Sequence, residues 1–284
     1  IKISVKWRIK VKNVSIDVIL GLTLVFSSLI LLIVNVFQIS IGLAQLLLSI
    51  LCTSLLPGYA FLNTLKIRQY FSTLETIVLS YVFSYVLTVF TSFIAILLPE
   101  VIRVPFILCV FMGLGIISVL KHGKNRIYPA VNSFARRIDI LVITLVLAFY
   151  ILNFCFLYPR LVLLPNTDIS RHYAKSVVLW RTPNLYIGSI YLFAHLYEST
   201  IIKLSNSSIM LIQTSLATLN LMLPLAFYVM AKAYLERVDA RLPSLATLFW
   251  TLFTSNLGGF AWLYFAMLKL SVTGKTQLQL LTVT

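Results

Sequence analysis

Asp168 is followed by Arg171, His172 and Lys175, then by Arg181, and further on by His195 and Glu198. The stretch 158–203, YPRLVLLPNTDISRHYAKSVVLWRTPNLYIGSIYLFAHLYESTIIK, holds two of the chain's eight carboxylates and two of its three histidines. A carboxylate with fixed cations one helical turn away can serve as a catalytic base or a metal ligand. Arg171, Lys175 and Arg181 would then hold an anionic group such as a lipid phosphate, because Arg and Lys supply permanent charge and several donors. The same spacing suits an Asp that caps its own helix, with the basic residues as interfacial anchors, and the residues alone leave both readings open. His172 lies four residues after Asp168 and His195 three before Glu198, so each pair can share a helix face. Brought together, His172, His195 and Glu198 would make a site for a divalent metal ion; apart, they are solvated interfacial groups. Glu100, in a short turn elsewhere, is a more distant candidate for the same compartment.

These residues need elements to position them. Pro165-Asn166-Thr167-Asp168 reads as a turn and helix start, with the helix running to about Trp180 before Pro183 ends it. Ile169, Tyr173, Val177 and Trp180 fall on one stripe and Asp168, Arg171 and Lys175 on another, an amphipathic pattern suited to a membrane surface. The run 187–204 is more apolar, yet it contains Ser189, His195, Glu198 and Ser199. An ionisable group in hydrocarbon costs at least about 2–3 kcal/mol, so a surface or re-entrant helix is expected there rather than a crossing.

The rest of the chain is apolar. Hydrophobic residues make up 60% and charged residues 11%, against roughly a quarter charged in soluble domains. Mean hydropathy is +0.98. Seven spans are expected, at about 18–37, 39–62, 74–98, 105–120, 138–157, 209–235 and 242–268, and an eighth if 187–204 crosses. The fold class is therefore all-α, a polytopic bundle. It divides into a five-span region 1–157, an outer loop 158–207 with two interfacial helices, and a two-span region 208–284. The net charge of +15 sits in short loops. Most Lys and Arg fall on the side of the basic arm 1–12 and the loop 121–137, which makes that side cytoplasmic and argues against nucleic acid as a partner. Membrane lipids are the expected surroundings. Ser72 and Glu75 have capping-box spacing at the third span. Asp17, Glu75 and Asp139 sit at first turns of spans, where the helix dipole favours negative charge. Pro57 and Gly58, in LPGYAFL at 56–62, should kink or loosen the second span. Cys52, Cys109 and Cys155 read as small core residues. The chain opens at Ile1 without a methionine, and a piece of a longer protein is expected.

Asp168 just after a span, His172 nearby, Trp180-x-x-Pro183-x-x-Tyr186 and then Tyr191-x-x-x-His195 form a loose pattern of 46 residues. It resembles the first large outer loop of the GT-C class of polytopic glycosyltransferases, which take sugars from polyprenyl-phosphate carriers. The resemblance implies a prokaryotic cell-envelope enzyme acting at the outer face of the cell membrane. It makes Asp168 the acid essential for transfer and the segments 168–180 and 187–203 the two surface helices. The chain departs from the class in placing the loop after five spans, in having a single acid there, and in having fewer spans. The alternative is a non-catalytic membrane subunit or scaffold whose outer loop docks other membrane subunits. A transporter is disfavoured, because no expected span carries an ionisable residue near its middle.

Overall fold

The computed structural model describes residues 16–122, 144, 148, 168–180, 192–206, 222–235, 238–239 and 242–254. Among these there is no strand. The helices are α1 Ile16–Val36, α2 Leu43–Ser54, α3 Leu56–Thr64, α4 Thr73–Ala95, α5 Glu100–His122, α6 Asp168–Leu179, α7 Leu192–Ser205, α8 Met222–Leu235 and α9 Leu242–Thr254. A 3-10 turn at Arg68–Tyr70 links α3 to α4. Four helical units are long and apolar enough to cross a membrane: Ile16–Val36, Leu43–Thr64, Leu74–Ala95 and Glu100–Lys121. The chain is an all-α integral membrane protein. Those units coincide with the first four expected spans. The fifth, 138–157, lies almost wholly outside the described residues, and of the last two the structure describes α8 and α9.

Local chemistry accounts for the boundaries. At α4 the capping box forms in full, Ser72 N donating to Glu75 Oε2 at 2.7 Å and Glu75 N to Ser72 Oγ at 3.4 Å. The second span breaks at Leu55, whose φ of −136° interrupts the helix before Pro57 restarts it as α3. α5 starts earlier than expected. Pro105, expected as the first residue of the span, lies inside the helix and leaves the Val101 carbonyl without its usual donor, which the exposed first turn tolerates.

Tight crossings hold the four spans together. α1 meets α5 where Gly21 and Gly115 face each other, a Cβ on Gly115 standing 3.0 Å from the Gly21 carbonyl oxygen. α3 meets α4 at Gly58, whose N–H donates to Ser84 Oγ at 2.7 Å. The role of Gly58 is thus direct contact with the next helix, in addition to the break that Leu55 and Pro57 provide. Cys52 is buried between α1 and α2 with Ser28 Oγ at 3.9 Å, whereas Cys109 is exposed rather than in the core. Asp17 does occupy the first turn of α1, but the dipole is only part of its environment. Arg68 Nη1 reaches its carboxylate at 2.6 Å and the Tyr59 hydroxyl donates to it, so α1 is tied to the turn after α3.

Candidate functional site

α6 and α7 dock into this four-span core. α7 packs against α2, α4 and α6. Tyr85 on α4 stacks on Tyr197 with ring centroids 4.8 Å apart, and Ser92 meets Thr200 at 2.7 Å, so α7 runs in the direction of α4. Against α2 it runs the other way, with Ser54 on the Tyr197 hydroxyl at 2.6 Å and Gln45 Nε2 on the Leu204 carbonyl at 2.9 Å. The interface is lined with buried hydroxyls on both sides, among them Ser49, Thr53, Thr88 and Ser199. Such groups hydrogen-bond between helices where no water competes.

A surface helix would keep its polar residues in water. Here His195 is 1% exposed and Glu198 3%. Of the surface or re-entrant helix expected over 187–204, the described part is enclosed by protein and does not lie in water. The hydrocarbon penalty that argued against a crossing is avoided because protein groups, not lipid, surround these side chains.

Ser176 of α6 joins the two ionisable groups. Its hydroxyl donates to Glu198 Oε2 at 2.7 Å and lies 2.9 Å from His195 Nδ1. With the hydroxyl proton on the carboxylate, Oγ is left to accept from Nδ1–H. His195 Nδ1 and Glu198 Oε2 are 3.9 Å apart, so the pair does share a helix face as the spacing indicated. α7 is not one of the four membrane-crossing helices. Burial pushes the Glu198 carboxyl up from its ordinary value, opposed by hydrogen bonds from His195 and Ser176. The Tyr85 hydroxyl has no hydrogen-bond partner among the described residues.

Side chains from the spans hold the ends of both docked helices. Asn35 Nδ2 donates to the Leu204 carbonyl at 3.2 Å beside Gln45, and Arg103 Nη1 donates to the Trp180 carbonyl. The last carbonyls of a helix lack internal partners, and these contacts supply them. Glu100 lies in the first turn of α5 and pairs with Lys203 of α7 at 3.6 Å.

α6 begins at Asp168, as its turn and cap pattern indicated. The structure describes the backbone of Asp168, Arg171 and His172 but not their side chains, and Arg181 lies outside the described residues. Lys175 is exposed, while Ser176, Leu179 and Trp180 are buried. Helical register puts Asp168 and Arg171 on the stripe of Lys175. Among the described residues no group of three or more His, Cys, Asp or Glu converges to hold a metal ion. His195 and Glu198 are brought together and face Ser176, and the His172 side chain lies outside what the structure describes. Sequence reasoning missed Ser176, Tyr85, Arg103 and the Asp17–Arg68 pair. A buried serine on a helix with a polar stripe carries no spacing signal of its own.

Comparison with protein-family models, curated proteins and solved structures gives no match.

Proposed function

We propose that the protein is a membrane glycosyltransferase that takes a sugar from a polyprenyl-phosphate carrier at the outer face of the cell membrane. Asp168 is its base or organising carboxylate, and Arg171, Lys175 and Arg181 bind the lipid phosphate. The observation that carries this reading is the division of α6 into two faces. Ser176 and Trp180 fix the helix to the bundle, while Lys175 is exposed and Arg171 lies in register with it; Leu179, one turn after Lys175, is buried and closes that stripe at its C-terminal end. A rigid anchor on one side and charge on the other suit a site that must hold a reacting phosphate in place. Transfer to a hydroxyl or amide needs the acceptor's proton taken up while the departing phosphate gathers charge. A carboxylate and fixed cations on one stripe can meet both demands.

Asp168→Asn tests it, because Asn still caps a helix. Transfer from a polyprenyl-phosphate sugar in isolated membranes should fall at least ~10²-fold, with the variant accumulating normally. Full transfer by the Asn variant removes Asp168 from the mechanism. Recovery of the protein in a stoichiometric complex, with that complex's activity untouched by the substitution, would assign it as a non-catalytic subunit instead.

In this proposal the N-terminus is cytoplasmic, seven spans cross, and 158–207 enters the bundle from the outer side. Single cysteines at Asn132 and Asn166 read the orientation. Impermeant thiol reagents added outside intact cells should label position 166 and leave 132 unlabelled; the reverse pattern overturns it.

A further inference from the structure

At the end of the bundle formed by the α4–α5 turn, a guanidinium is enclosed without a counter-charge. Arg103 is 8% exposed. Its Nε donates to the Leu98 carbonyl at 2.8 Å and its Nη1 to the Trp180 carbonyl. A guanidinium has five N–H donors, so these two carbonyls leave most of them without an acceptor among the described residues. Trp180, whose carbonyl it holds, is 1% exposed, and its indole N–H has no acceptor among the described residues either. Glu100, a helical turn earlier on α5, faces Lys203 at 3.6 Å. Glu100, Lys203 and Arg103 together leave one net positive charge.

Capping the end of α6 explains two of the donors and part of the charge, since a cation is favoured at a helix C-terminus. It does not explain the rest of the charge or the indole N–H. Buried donors are nearly always paired and buried charges nearly always matched. What these two residues lack is an anion with several acceptor oxygens. A carboxylate would saturate the fork alone, whereas a phosphate offers oxygens to the fork and a further one to the indole N–H.

We propose that Arg103 and Trp180 form a phosphate-binding site, placed to take the headgroup of a phosphate-bearing lipid. The site lies where a membrane-crossing helix begins, the depth at which lipid headgroups meet protein. It is separate from the Asp168 stripe and does not depend on the transferase reading.

The experiment uses the full chain purified in detergent, with retention of added phosphatidic acid, diacylglycerol and inorganic phosphate measured by native mass spectrometry and calorimetry. Phosphatidic acid should bind and diacylglycerol should not. Trp180→Phe removes the N–H together with one ring of the indole, so it should lower the unfolding temperature and also weaken phosphatidic acid about tenfold at temperatures where the variant is fully folded. Arg103→Lys keeps the charge and loses the fork, and should weaken it at least as much. Competition by inorganic phosphate would show that the phosphate group alone is held, and lack of competition that the acyl chains are gripped as well; either fits the site. Lys175→Ala, which removes a cation of the transferase's phosphate stripe, should leave the binding that depends on Arg103 and Trp180 in place, which separates this site from the transferase proposal. Parent-like affinity in both Trp180→Phe and Arg103→Lys would overturn it, as would loss of binding in Lys175→Ala alone. If Arg103→Lys does not fold, the Trp180→Phe result decides.

Discussion

Gly58→Ala is expected to keep α3 and α4 from packing and to abolish accumulation of folded protein. A Cβ at this position would stand 1.9 Å from the Ser80 carbonyl oxygen and 2.6 Å from the Ser84 nitrogen. Both obstacles are backbone inside a membrane-crossing helix, so no rotamer change clears them. The helices must move apart, which breaks the Gly58 N–H bond to Ser84 Oγ and opens the buried contacts around it. Overpacking typically costs about 1–3 kcal/mol where neighbours can shift, and an overlap with fixed backbone belongs above that range. Gly113→Ala is the matched control, because a Cβ there meets nothing within 4 Å. Thermal unfolding in detergent should leave Gly113→Ala at or slightly above the parent, while Gly58→Ala is lost to aggregation or proteolysis. A Gly58→Ala protein that melts with the parent would mean that α3 and α4 do not cross at this distance.

Ser176→Ala should be the costliest loss of a single hydroxyl, about 2–4 kcal/mol, because one oxygen serves two buried ionisable groups. Removing it takes a hydrogen bond from His195 and another from Glu198 where water does not replace them. The signature is non-additivity. Glu198→Leu alone leaves His195 and Ser176 without the carboxylate and should be severe, but in the Ser176→Ala background it should cost much less, since the group that needed the hydroxyl has gone. Unfolding midpoints of the two single variants and the double variant measure this. Simple addition of the single effects would mean that the three residues do not act as one cluster.

The parts of the fold that were legible in the sequence are those that depend on neighbours along the chain. Apolar run length located the first four spans, and Ser72 with Glu75 marked the start of α4, because a capping box is complete within four residues. Asp168 opened α6 for the same reason. What was not legible depends on partners far away. Asp17 was assigned to a helix dipole, yet its partners are Tyr59 and Arg68. Gly58 suggested a kink, yet its main role is to let α4 approach. Polar residues in 187–204 suggested a surface or re-entrant helix without showing which, because a sequence does not show that α2 and α4 present their own serines and threonines toward it. Arg103 looked like a turn residue, and nothing nearby in sequence indicated that its acceptors would include the carbonyl of Trp180.

The way α7 is seated has a consequence for the order in which the protein is made. Every span that lines its seat, from α1 through α5, lies within residues 16–122, and α7 begins only at Leu192. Domains generally fold from the N-terminus as synthesis proceeds. The socket therefore exists before the insert, and for the time taken to make the intervening chain the faces carrying Gln45, Ser49, Ser54 and Ser92 stand without their final cover. During that interval lipid is a poor substitute, since it offers those hydroxyls nothing to bond. The newborn bundle must then close on itself, admit water, or be attended by the insertion machinery until α7 arrives and seals it.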